Sequence, residues 1–403
     1  MLDGEQLSYI VSQSCRHYQF SQAIRQRAWV EIDHEALAHN VRELKKLLAP
    51  QTELMAVVKA DAYGHGVIKV AETVLKNGAI WLAIATLGEG VELRDAGITA
   101  PILVLGATNT REEIEAIAHW NLQPTLCTIE QAQLFSETMA KLRQTLPVHL
   151  KIDTGMSRLG TRWENAINFV KTVDQAHNLE IASIYSHFAM ADEADPSFTY
   201  LQHERFKTTL NAIQEQNIPL PKLHIANSAG ILLGQEFHYD FVRAGLAIYG
   251  AYPAPHLENK VELKPVMQVK ARITQIKTLP ADTGVSYGHR FVTSDETTIA
   301  VIGIGYADGV PRKLSNNLKV LLNGEFAPQI GSITMDQIML DISHIPDTKA
   351  GDVVTLIGGE EGDRQITVDH WANQLDTISW EIMCGFKHRL PRINLNEPRQ
   401  PNP

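Results

Sequence analysis

Lys59 stands where an amine can do chemistry. The β-branched pair Val57-Val58 delivers it to the end of a buried strand, and Ala60, Asp61, Ala62 and Gly64 turn the chain away at once. At the mouth of an apolar strand, desolvation lowers an ammonium pKa and frees a nucleophilic nitrogen for a carbonyl partner. A lysine snorkelling to solvent is the competing reading of Val-Val-Lys taken alone. Tyr63, four residues on, brings a phenol suited to covering a phosphate. Further along, polar and basic residues recur where other apolar runs end: Lys151 with Asp153 and Arg158, then His187, Asn227 with Ser228, and Arg243.

The string AVVKADAYGHG at 56–66 resembles the cofactor-lysine motif of bacterial alanine racemases. In the same order, KIDTGMSRLG at 151–160, HIANSAG at 224–230, VRAGLAIYG at 242–250, VSYG at 285–288, GYADG at 305–309 and ITMDQ at 333–337 match that family, over about residues 28 to 392. The resemblance implies a pyridoxal 5'-phosphate enzyme that interconverts L- and D-alanine by a two-base mechanism and supplies D-alanine for peptidoglycan. Lys59 is then the Schiff-base lysine. Tyr63, Ser228 and the backbone at Gly245 and Leu246 match the phosphate cradle, with His187 and Asn227 in the cofactor set. Taken as residues, Ser228 opens the helical pattern SAGILLG and is equally an ordinary N-cap, while Gly245 allows close backbone approach. Arg243 matches the partner of the ring nitrogen. A guanidinium does not surrender its proton near neutral pH, so that nitrogen stays unprotonated and the ring is a weaker electron sink. Pairing with an interior carboxylate is the competing reading of an arginine in a barrel strand.

Racemisation needs a base on each face of a planar intermediate. Lys59 serves one face, and Tyr287 in GVSYGHR matches the family's second base, which enters from the other subunit and so implies an obligate homodimer with shared sites. A phenol ordinarily near pKa 10 needs neighbouring cations, for which His187 and Arg158 are the candidates. Arg158 and the backbone N–H of Met335 match the substrate-carboxylate contacts, and Tyr306 the narrow mouth of the site. Lys151 matches a position carbamylated in many relatives, although its neighbour Asp153 suggests a plain ion pair. Two residues depart from the family pattern. Thr334 replaces a common cysteine, and His388 stands where many relatives have a gate tyrosine that also touches phosphate. The second departure leaves a broader racemase acting on serine as an alternative. A non-catalytic pyridoxal-phosphate carrier would resemble the barrel alone, and the motif around Arg243 disfavours the related basic amino-acid decarboxylases.

The elements that must position these residues follow from hydrophobic periodicity. Apolar strands at 54–59, 80–86, 101–105, 122–127, 147–153, 179–187, 221–227 and 241–248 alternate with helical patterns. Eight such units predict an α/β chain with a (β/α)8 barrel of the TIM type, whose site gathers at the strand C-termini. After Pro253, Pro255 and Pro265, short alternating segments punctuated by Gly and Asn predict a predominantly β C-terminal domain with one late helix near 367–375. The expected division is an extension at 1–26, a cofactor-binding barrel at 27–257, a β domain at 258–395 and a tail at 396–403.

Composition agrees with two ordinary globular domains in 403 residues. A net charge of −10 argues against nucleic acid or an anionic membrane as partner. Three cysteines, Cys15, Cys127 and Cys384, at no metal-ligand spacing point to a reduced compartment and no metal site. With no apolar run of membrane-spanning length, the expected location is the cytoplasm.

Overall fold

The computed structural model describes residues 27–359, 364–386 and 388–396, so the extension at 1–26, Cys15 and all but the first residue of the tail lie outside the described residues. The chain forms two compact units, one comprising His34–Val266 and the other combining the stretch ending at Asp33 with the chain from Met267 onward.

In the first unit, eight parallel strands form the predicted barrel: Glu53–Val57, Ala79–Ile84, Ile102–Ala107, Gln123–Leu126, Leu146–Asp153, Leu179–Tyr185, Lys222–His224 and Phe241–Ala244. Closure comes from two pairings. The eighth strand lies beside the first, with Arg243 opposite Met55, and the fourth beside the fifth, with Thr125 opposite His149. Strands covered on both faces read as continuous apolar runs, which is why all eight were visible in the sequence. Helices fill most of the crossovers, and three of them, Leu87–Asp95, Arg111–His119 and Ile129–Leu142, start at threonine N-caps, Thr86, Thr110 and Thr128. The helix His34–Lys46 precedes the first strand and is tied to the far end of this unit. Buried Asn40 donates to the carbonyls of Ile248 and Lys264, at 3.1 and 2.8 Å, and accepts the Lys264 N–H at 2.7 Å.

The second unit is a mostly antiparallel sheet organised on the long strand Met267–Leu279. That strand pairs with Ala28–Asp33, Thr297–Ile302 and Val353–Gly359, and a register shift between Ile273 and Gln275 lets it change partners. Here the expected division needs correction. AWVEID, assigned by sequence to the barrel domain, pairs with Met267–Leu279 and with Arg392–Leu395, because its alternating pattern suits a sheet with unlike faces. The late helix occupies Val368–Leu375, and a second one, Ser379–Gly385, lies in the stretch IMCGF that showed no helical period. Asp308, fully buried, accepts two hydrogen bonds from Arg27, at 2.9 and 2.6 Å, and one from the Gly305 N–H at 3.1 Å, bracing the loop that carries Tyr306.

Replacing Asn40 by Ala strands one buried and two part-buried backbone groups, so the barrel unit should lose about 2 kcal/mol of unfolding free energy. A lower urea midpoint at unchanged slope is the expected reading. A wild-type midpoint would show that water replaces the amide.

Candidate active site

The first strand ends at Val57, so Lys59 leads the turn beyond it rather than closing the strand. That turn is left-handed. Ala60, Asp61, Ala62 and Tyr63 have φ of 52–54°, a conformation that costs roughly 1–2 kcal/mol per non-glycine residue. Neighbouring groups hold it in place. Glu89 accepts the Ala60 N–H at 2.7 Å on one carboxylate oxygen, and those of Ala85 and Thr86 on the other. Asp61 accepts the Val67 N–H at 2.7 Å, which starts the next helix. The Tyr249 ring lies 4.9 Å from Tyr63 and 4.5 Å from His65, while its hydroxyl donates to the Val57 carbonyl. Lys59 thus leaves the C-terminal rim of the barrel on a backbone aimed by its surroundings rather than by its own preference.

Arg243, 3% exposed on the eighth strand, is the electrostatic centre of the interior. It donates to His224 Nδ1 at 2.7 Å, His187 Nδ1 at 3.0 Å and the carbonyls of Ser186 and Ile225. No carboxylate among the described residues pairs with it, so the ion-pair alternative is set aside. Its cation lies 5.2 Å from the Tyr185 ring centre, and burial pulls its pKa down to about 10, leaving it charged at neutral pH. Because a guanidinium only donates, both histidines must accept at Nδ1 and carry their proton on Nε2. Burial and the adjacent cations hold both well below the ordinary histidine range. His187 is therefore a neutral imidazole, which removes it as a cation for the second base. His224, Tyr185 and Glu89 are structural partners of this site that the sequence reading missed; the Thr86-x-x-Glu89 capping-box spacing was the one legible signal among them.

Lys151, 5% exposed, sits 5.3 Å from the same Tyr185 ring. The expected pair with Asp153 does not form. The fifth strand ends at Asp153, whose carboxylate is taken by the Gly155 and Ser157 N–H groups of the following loop, both at 3.0 Å. Burial, then the charges of Arg243 and Arg158, lower the Lys151 pKa to about 8. Arg158 is exposed and makes no hydrogen bond or ion pair with the described residues, so its donors are available to an incoming anion.

At the seventh strand the helix Ser228–Leu233 is capped by Asn227, which accepts the Gly230 N–H at 2.9 Å, so Ser228 is not the cap. Ser228 Oγ accepts instead from the Gly245 and Ala247 N–H groups, at 3.0 and 3.2 Å. Its own proton has no acceptor among the described residues. A Cβ on Gly245 would meet the Tyr63 hydroxyl at 2.9 Å, so only glycine lets that phenol approach. Arg243 Nε–H likewise lacks a partner among the described residues. A phosphate acceptor for Ser228 and a ring nitrogen for Arg243 would meet these two donors, and pyridoxal 5'-phosphate carries both.

In the second unit, Tyr287 is 74% exposed at the tip of a short hairpin, and its carbonyl accepts from Ser332 at 2.8 Å. Met335 is 52% exposed, and its N–H has no partner among the described residues. Tyr306 is 41% exposed, its N–H bonded to Thr334, and His388 is exposed.

A (β/α)8 barrel with a strand-end lysine, a phosphate-ready serine and a buried arginine without a carboxylate defines a pyridoxal-phosphate enzyme of the barrel type. Comparison with known proteins specifies the class. Residues 32–253 match the family model "Alanine racemase, N-terminal domain" and residues 266–394 the model "Alanine racemase, C-terminal domain". The alanine racemase of Synechocystis sp. is 62% identical over 92% of this chain and 99% of its own length, and that of Nostoc sp. 57% over 92% and 96%. Among solved structures, the alanine racemase of Clostridium difficile superposes with a TM-score of 0.88 at 36% identity, covering 92% of this chain and 97% of that one. That of Bacillus anthracis with bound L-Ala-P gives 0.86 at 35%, covering 92% and 95%. The chain belongs to the alanine racemase family, isomerases that depend on pyridoxal 5'-phosphate.

The lowered pKa of Lys151 links to stability. The unfolded chain holds a proton that the folded chain has released between about 8 and 10.5, so the penalty is full below that window and gone above it. In buffer free of carbon dioxide, unfolding free energy should rise with pH across the window, and Lys151→Met should flatten the rise. An unchanged slope in the variant would assign the titration to another group.

Proposed function

We propose that this chain interconverts L- and D-alanine, with Lys59 and Tyr287 as opposed bases in a homodimer whose two sites are shared. Family membership supports the reaction. The observation that carries the site assignment is Arg243, a buried cation held by neutral acceptors, with no partner for its Nε–H among the described residues. Bound through Lys59, the cofactor supplies an electron sink that acidifies the α C–H of the amino acid. Arg243 would face the ring nitrogen as a donor that keeps its own proton, which would restrain the sink and favour return of the proton over side reactions. Ser228, Tyr63 and the backbone around Gly245 and Leu246 hold the phosphate. Lys59 moves the α proton on one face, and Tyr287, from the second subunit, on the other.

With His187 neutral, Arg158 is left as the cation for the second base and, with the Met335 N–H, holds the substrate carboxylate. The exposure of Tyr287 and Met335 supports their use by a second subunit. Lys151 is the residue for carbamylation. Its amine is partly neutral near pH 8, the form that adds to carbon dioxide, and the resulting anion would stand between Arg158 and Arg243. Tyr306 and His388 form the mouth of the site, which admits a small side chain such as that of alanine. A cytoplasmic role in D-alanine supply for peptidoglycan completes the proposal. It accords with the described residues, none of whose helices is long and apolar enough to cross a membrane.

Tyr287→Phe should keep the visible absorption of bound cofactor while racemisation of L-alanine, followed by optical rotation, falls by a factor on the order of 10² or more. Near-normal turnover would remove Tyr287 as a base. L-Alanine should also turn over faster than L-serine; equal rates would make the chain a broader racemase, with His388 as the first residue to examine.

A further inference from the structure

Behind Arg243 the barrel interior carries a line of polar side chains that racemisation, as described, does not use. One residue comes from each successive strand: Gln123 from the fourth, His149 from the fifth, Ser183 from the sixth, His224 from the seventh, Arg243 from the eighth. Each touches the next. Arg243 lies 2.7 Å from His224 Nδ1, His224 Nε2 is 2.9 Å from Ser183 Oγ, Ser183 Oγ is 2.6 Å from His149 Nδ1, and His149 Nε2 is 2.9 Å from Gln123 Oε1. His149, Ser183 and His224 are fully buried.

We propose that Gln123, His149, Ser183 and His224 form a one-directional hydrogen-bond chain that positions Arg243 against the cofactor ring nitrogen, with His149 and Ser183 as positioning residues for racemisation.

The direction follows from elementary inventory. Arg243 only donates, so His224 accepts at Nδ1 and must donate from Nε2 to Ser183. The Ser183 proton is then left with one acceptor in its line, His149 Nδ1, and His149 must donate from Nε2 to the Gln123 carbonyl. Each bond sets the next: reversing the His224–Ser183 bond confronts Arg243 with a second donor, and reversing either of the later two leaves the Ser183 proton without its acceptor in the line. An added proton on either imidazole breaks the sequence. The surroundings oppose that proton. His224 is stacked on Tyr185 at 4.7 Å with an interplanar angle of 1°, meets the Phe241 ring edge-on, and faces the cations Arg243 and Lys151. His149 meets the edge of Trp81, and burial alone pushes it down to about 3. A carboxylate at His224 would have oriented Arg243 equally well but would have neutralised it. The neutral chain orients the guanidinium and leaves its charge whole.

This inference rests on the reading of Arg243 as the ring-nitrogen partner, and its test separates the two. In the cofactor-loaded protein with ¹⁵N-labelled histidine, long-range ¹H–¹⁵N spectra should show His224 and His149 as neutral Nε2–H tautomers with no titration between about pH 6 and 9. Ser183→Ala should mix the His224 tautomers, shift the visible band of bound cofactor and lower kcat about tenfold at nearly constant KM. Gln123→Leu, at the half-buried end of the chain, should act in the same direction more weakly and serves if Ser183→Ala fails to fold. An Nδ1–H tautomer at His224 in the wild type would overturn the proposal. So would wild-type kcat and cofactor band in whichever of the variants folds. Absence of a cofactor band and of racemisation in the wild type itself would instead overturn the underlying reading of the site.

Discussion

A buried positive charge without a carboxylate partner is the constraint on which this barrel depends. Desolvating a guanidinium is expensive, and proteins usually answer that cost with an acid. Here Arg243 is answered by two imidazole nitrogens, two carbonyls and the face of Tyr185. Much of the interior chemistry then follows. Burial first, and then this charge, keep both imidazoles neutral and push Lys151 toward its neutral amine, and the site keeps a net positive field for phosphate and carboxylate. An aspartate in place of His224 would relax all three conditions together.

The second constraint is mechanical. Lys59 is delivered by a left-handed turn that four residues with Cβ atoms would not adopt by themselves. Glu89, Asp61 and the rings of Tyr249 and His65 hold it, so Lys59 is placed by contacts with the second strand's loop and with the segment that follows the eighth. Strain is thereby concentrated where a fixed amine is useful, and the rest of the barrel supplies the stability that sustains it.

Different residues were legible to different degrees. The eight strands could be located because each is a short apolar run between turn signals, and Lys59, Arg158, Ser228 and Arg243 because they interrupt or end those runs. His149 and Lys151 share one face of HLKID by the alternation of a strand; the sequence offers Lys151 as a carbamylation site or an ion pair with Asp153, and gives His149 no role. AWVEID shows the opposite failure. Its local pattern was correctly a strand, yet nothing within six residues says which sheet it joins, since its partners lie more than 230 and 360 residues away. The helix Ser379–Gly385 was missed because seven residues are too few to show a helical period.

By itself the sequence determined the order of elements, the family, and the residue types that meet at the strand ends, because those depend on local periodicity and on motifs contiguous in the chain. Only the tertiary structure decided what each group is chemically. That His187 is neutral, that Asp153 serves its own loop, that Asn227 rather than Ser228 caps its helix and that Ser228 Oγ accepts from the Gly245 N–H all depend on partners up to some 60 residues away. Protonation and hydrogen-bond direction are properties of a neighbourhood, and the closed barrel is what brings that neighbourhood together.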